Sequence, residues 1–156
     1  MSQYFLLKSL HVISVVLFLG NIITGVFWKF HGDRVGTLAA RAQAIDGVIR
    51  SDRWFTLPGV IAIIVTGVLL AMTLHLPILR TTWIMWSLIL FGISGISFQF
   101  FIAPLQRKML ANLRAGEAGN WNESGYQQLS RAWEIWGAVG TLTPVVALVL
   151  MVTKPA

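Results

Sequence analysis

The chain contains no cysteine. Disulfides, thiolate metal sites, iron–sulfur ligation and cysteine nucleophiles are therefore excluded. Charge is scarce as well: charged types make up 12% of the residues and apolar types 56%, against roughly a quarter charged in an average soluble domain. A soluble chain of 156 residues needs charge to cover its wetted surface, whereas one bathed in lipid does not. No phosphate-binding loop, Gly-x-Ser-x-Gly elbow or His-Glu-x-x-His zinc motif occurs. The net charge of +6 comes from short segments beside apolar runs rather than from a solvated basic domain. That placement argues against a nucleic-acid partner and for a lipid bilayer with anionic head groups. The start Met1-Ser2-Gln3-Tyr4 lacks the basic region of a secretory signal, and the apolar run behind it is too long for one, so a retained first helix is expected.

What is present is a set of long apolar runs. About 20 residues at 1.5 Å each cross a hydrocarbon core, and four segments qualify: about 4–28, 54–75, 83–103 and 133–152. Trp28, Trp54, Trp83, Trp86, Trp133 and Trp136 stand at or near their ends, where indole prefers the head-group layer. The expected fold is an all-α membrane protein, a single four-transmembrane-helix bundle with short interfacial helices on the cytoplasmic side. The segment between spans one and two carries Lys29, Arg34, Arg41, Arg50 and Arg53, and that between three and four carries Arg107, Lys108, Arg114 and Arg131. Only Lys8, Arg80 and Lys154 fall on the other side. The positive-inside rule then puts both termini on the periplasmic or outer side of a bacterial inner membrane.

Within the first basic segment, Leu38, Ala42, Ile45 and Ile49 recur at helical spacing, which predicts a short amphipathic helix lying on the inner surface. In the second, Pro104 opens the loop, and Asn120 with Glu123 three residues on reads as a capping box. The short outer loop, Leu76 to Thr82, predicts that spans two and three form an antiparallel hairpin. Glycines and serines along spans two to four read as helix-packing positions, and Pro144 predicts a kink in span four. Asp52 and Glu134 read as acids favoured at helix N-termini, and His31 as a solvated loop residue.

Span one differs. Lys8, His11, Ser14, Phe18, Asn21 and Gly25 form one polar stripe down an apolar helix and should face the bundle interior. Ser14, Asn21 and Gly25 suit packing and interhelical hydrogen bonds. His11 lies about a turn inside the outer boundary, and an ionisable group there requires a partner. Neutral imidazole can ligate haem iron, and an antiparallel bundle can hold a flat macrocycle between its helices. His75, at the outer end of span two, is the candidate second axial ligand, and Met72 a substitute. Lys8 and Arg80 are the outer cations available to propionates.

Several stretches carry a resemblance: Tyr4 through Val12, Gly20-Asn21, Trp28-Lys29, Asp52 through Gly59, Pro104 through Arg107, Ser130 through Gly137 and Val152 through Pro155. They resemble the bacterial domain-of-unknown-function family 2269 of predicted integral membrane proteins, over nearly the whole chain. This resemblance implies a four-helix membrane protein and no particular reaction. Lys8-x-x-His11 alone is similar to the opening of HemJ-type protoporphyrinogen oxidases and of copper-resistance-D-like membrane proteins; in the HemJ type that histidine is associated with haem b. The expectation is a small b-type haem-binding redox protein or subunit, fed by a quinone pool or a partner subunit. The alternatives are a structural or assembly subunit of a larger membrane complex, or a small transporter or channel built as a homo-oligomer.

Overall fold

The computed structural model describes residues 3–155, and every regular element among them is helical. In chain order these are α1 (Gln3–Val35), α2 (Leu38–Ser51), α3 (Leu57–Thr73), α4 (Thr82–Ser97), α5 (Ala103–Glu117) and α6 (Glu123–Thr153). α2 runs into α3 through a π-helical turn at Asp52–Thr56, and α4 into α5 through another at Phe98–Ile102. The result is four continuous helices of 31 to 36 residues, each long and apolar enough to cross a membrane. At 1.5 Å per residue even the shortest reaches about 46 Å, roughly 15 Å more than a hydrocarbon core. The surplus belongs to the basic end, where Arg34, Arg41, Arg50, Arg107, Lys108, Arg114 and Arg131 are found on helices.

Proline accounts for both π turns. Pro58 and Pro104 have no N–H to return to the carbonyls of Trp54 and Phe100 four residues earlier. Widening the preceding turn absorbs the mismatch: Leu57 N–H bonds the Asp52 carbonyl, and Ala103 N–H that of Phe98. The buried stripe records the extra residue. Ser94, Ser97, Ile102, Gln106, Met109 and Leu113 are buried at steps of three or four, except for the step of five across the turn. Pro144 creates the same gap in α6, at the carbonyl of Gly140. There the helix continues, and the Ser94 hydroxyl donates to that carbonyl at 2.7 Å.

Toward the basic end, α1, α2, α5 and α6 close into a ring around Ala42, Ile45, Ile102, Met109, Leu113, Tyr126 and Trp133. Toward the termini the packing divides into two pairs, α1 with α3 and α4 with α6. α3 and α4 do not pack against each other, so the expected hairpin of spans two and three is absent. The segment joining them, from Leu74 to Thr81, is long enough to let the helices diverge. The amphipathic segment at Leu38 is helical as expected, but it extends span two instead of lying on the membrane surface. Its apolar side is taken up by α1 and α5. The cap of α6 is Asn122, whose side chain accepts from Gly125 N–H, in place of Asn120.

Close approach of α1 to α2 rests on Gly32. A Cβ there would lie 2.7 Å from Ala44 Cβ and 3.2 Å from the Ala40 carbonyl oxygen, whereas one at Gly92 would meet nothing within 4 Å. Gly32→Ala should cost about 1–3 kcal/mol through overpacking, and Gly92→Ala should be neutral or stabilise by up to about 1 kcal/mol. Thermal unfolding in detergent distinguishes the two: Tm falls for the first and holds or rises for the second.

Candidate functional site

The π turn of span two begins at Asp52 and ends at Thr56, and both are buried. Asn21 reaches them from α1 and Gln106 from α5. Asp52 Oδ1 accepts from Thr56 Oγ1 at 2.8 Å and Asn21 Nδ2 at 3.2 Å, and Oδ2 accepts from Gln106 Nε2 at 3.0 Å. Asn21 also donates to Thr56 Oγ1 at 2.9 Å. Among the described residues Asp52 makes no ion pair within 4.0 Å. A buried carboxyl surrounded by neutral donors alone is uncommon, because burying an unpaired charge is costly.

This cluster forms one wall of a cavity of about 180 Å³ lined by residues of all four continuous helices. The volume corresponds to about half a dozen waters at liquid density. Among the described residues Asp52 is the one titratable group on the lining, whose remainder is mainly apolar and aromatic (Phe91, Phe98, Trp133) with Gln99 and Thr141 among its few polar groups. Trp133 is only 4% exposed, and its Nε1–H has no acceptor among the described residues. On the side toward the termini, the rings of Phe18 and Phe91 meet with centroids 5.5 Å apart.

A second polar centre lies in the ring of helices. Lys29 is 1% exposed, and its ammonium contacts Asp33 at 2.9 Å, Glu134 and the Ser130 hydroxyl at 2.5 Å each, and the face of Trp133 at 5.6 Å from its centroid. Asp33 also accepts from the Tyr126 hydroxyl at 2.6 Å and lies 3.8 Å from Arg41 Nε, while Arg41 pairs with Glu123 at 3.4 Å. The network ties α1 to α6 and the start of α2. It departs from the sequence expectations on three counts. Lys29 is an interior residue of α1, not a loop cation. Glu134 sits well inside α6, whose start is at Glu123, and Asp52 lies mid-helix; neither acid occupies a helix N-terminus.

A family described as a predicted integral membrane protein matches residues 5–155. The chain belongs to this family, DUF2269. No curated protein and no solved structure is detectably similar to it.

In this DUF2269 protein the His11 ring packs against α3. Its Nδ1 is 2.9 Å from Thr66 Oγ1, and its Cε1 is 3.2 Å from where a Cβ on Gly67 would lie. The Thr66 hydroxyl proton is already committed to the Ala62 carbonyl at 2.5 Å, so toward His11 the hydroxyl accepts. The tautomer that fits this arrangement has the proton on Nδ1 and the lone pair on Nε2. His75, exposed with φ of 54°, follows Thr66 by nine residues, roughly 13 Å of helical rise. Met72, 66% exposed, faces outward. Arg80 and Lys8 are exposed, the latter over the Tyr4 ring at 5.8 Å. The structure thus joins His11 to Thr66 and does not join it to His75, Met72, Lys8 or Arg80. Of the remaining stripe, Ser14 bonds its own helix at the Leu10 carbonyl, Asn21 joins the Asp52 cluster, and Gly25 lies against Val48. His31 is exposed as expected but is helical and stacks on Phe27 at 6.1 Å. Among the described residues no three His, Asp or Glu side chains converge as a metal site.

Removing both carboxylates from a fully enclosed lysine leaves its charge unpaired, a loss of about 3–5 kcal/mol. Asp33→Ala and Glu134→Ala should each be milder, since one acid remains in either. The double variant should therefore exceed the sum of the two singles in a denaturation cycle.

Proposed function

We propose that this integral membrane protein handles protons within the bilayer, as a small transporter-class protein or proton-exchanging subunit with Asp52 as the exchanging group. One observation carries this reading: Asp52 is buried between membrane-crossing helices beside a cavity, with three neutral donors and no cation. As an anion it accepts from Asn21, Thr56 and Gln106. As an acid it has a proton to pass to water in the cavity. With no cation paired to it, Asp52 can change protonation state without breaking an ion pair. The excess of lysine and arginine at the looped end supports a bacterial inner-membrane placement with that end in the cytoplasm.

The test uses a hydrophobic carbodiimide, which couples to protonated carboxyls in apolar surroundings. Mass spectrometry of the treated protein should find the adduct on the peptide containing Asp52. Asp52→Asn should abolish it, and an acid-driven proton flux into vesicles carrying the protein should fall to that of empty vesicles. An Asp52 that stays unreactive at every pH removes the reading.

A second reading is favoured by the His11 tautomer. A metal-ligating histidine commonly donates one ring N–H to a neighbouring acceptor, leaving the other nitrogen for the metal. His11 has that arrangement, so a haem b iron would take His11 Nε2 in a redox subunit served by quinol or a partner protein. Its second axial ligand would have to come from outside the set His75 and Met72. Protein produced with ample haem should then show a Soret band that His11→Ala removes. A colourless wild-type protein ends this alternative.

A further inference from the structure

The Asp52 cluster has open space on two sides. One is the cavity already described. The other is a groove of about 570 Å³ between α1 and α2, lined by Thr24, His31, Gln43 and Ser51 among others. The two volumes share three wall residues: Asn21, Gly25 and Val48. Asn21 is the residue whose amide holds Asp52. It stands about 10 Å inside the level of Trp28, seven residues along α1. Gly25 packs against Val48 between the two volumes: a Cβ there would lie 3.6 Å from Val48 Cγ1, so a glycine keeps this partition thin and a larger side chain would thicken it. Gly47, beside Val48, leaves open space, with nothing within 4 Å of a Cβ.

The opposite side has a different character. Phe18 and Phe91, both on the cavity wall, meet on the side toward the termini. Beyond them on α1, Ser14 is committed to its own backbone and His11 to Thr66. The cavity wall is mainly apolar, but one group on it asks for water: the Trp133 indole N–H, nine-tenths buried, needs an acceptor that the described residues do not supply.

We propose that Asp52 is reached from one side only, by a hydrated path that enters between α1 and α2 at the basic end, crosses the thin partition where Gly25 packs against Val48, and stops at the Phe18–Phe91 pair. The ligand of this path is water, carrying protons to and from the carboxyl. The proposal rests on the reading of Asp52 as the exchanging group and adds its sidedness and its route. Titratable and charged groups near the route are few: His31 from α1 lies on the groove wall, and Asp52 stands alone on the cavity wall.

The absence of native cysteine makes any single substitution a unique thiol. Asn21→Cys, Val48→Cys, Gly47→Cys and the lipid-facing control Ile23→Cys, a position 53% exposed, are placed in the full-length protein in vesicles of known orientation. A membrane-impermeant methanethiosulfonate is added from either side. The expected result is modification of positions 21, 47 and 48 from the basic end, an order of magnitude faster than from the terminal end, with position 23 unreactive. Adding Gly25→Leu should slow modification at position 21 by a similar factor and leave position 47 unchanged. Equal rates from both sides at 21 and 48, no reaction at either while 47 reacts, or equally fast reaction at 23 each overturns the path. Val48→Cys reads the same wall if Asn21→Cys fails to fold. The carbodiimide adduct on Asp52 is scored separately, so loss of the route and loss of the exchanging carboxyl are told apart.

Discussion

Inside a bilayer every backbone N–H and C=O needs a partner within the protein, because lipid offers none. Three prolines test this constraint, and it is met in two ways. Pro58 and Pro104 are absorbed by π turns; Pro144 is absorbed by a hydroxyl from a neighbouring helix. The first two solutions reset the helical phase at the level where all four continuous helices converge. The reset brings Asp52 and Gln106, 54 residues apart in the chain, within hydrogen-bonding distance. The third ties α4 to α6 through Ser94, beside a second serine bond from Ser87 to the Ala147 carbonyl at 3.2 Å. Backbone satisfaction and site construction are thus the same event in this molecule.

The energetic weight is unevenly distributed along the bundle axis. At the basic end, large apolar side chains are enclosed by four helices and crossed by the Lys29 network, so the association there resembles a water-soluble core. Toward the termini the helices meet in pairs through small residues and isolated hydrogen bonds, as expected where lipid removes the hydrophobic drive for association. Asp52 lies where these two regimes meet.

Much of the architecture was legible from residue type alone. Length and hydropathy located four spans, and the serines of α4 found their partners on α6 as packing positions; Gly92 and Gly95 are instead exposed, and Trp133, read as a head-group indole, is buried in the bundle. The inward direction of the His11 ring was also readable, since imidazole in an apolar helix needs a partner. The buried acid and the buried lysine were not recognised, because the acid was assigned to a helix end and the lysine to a loop by distance from the nearest apolar run. A signal was nevertheless present. Asp52 and Thr56 continue the spacing of Leu38, Ala42, Ile45 and Ile49, and Lys29 continues that of Phe18, Asn21 and Gly25. Following the periodicity past the assumed boundary would have placed all three indoors. The pairing of Lys29 with Glu134, 105 residues apart, depends on helix neighbours that periodicity does not specify, as does the separation of α3 from α4.

That separation has a mechanical consequence. Two helix pairs fastened at one end behave as the arms of a pair of tweezers, with the ring as the pivot. Each degree of opening at the pivot displaces the far tips by roughly half an ångström over a 30 Å span. Since no α3–α4 contact has to be broken, what resists that motion beyond the Phe18–Phe91 contact near the pivot is the surrounding acyl chains, which makes the splay of the arms responsive to the thickness and lateral pressure of the host membrane.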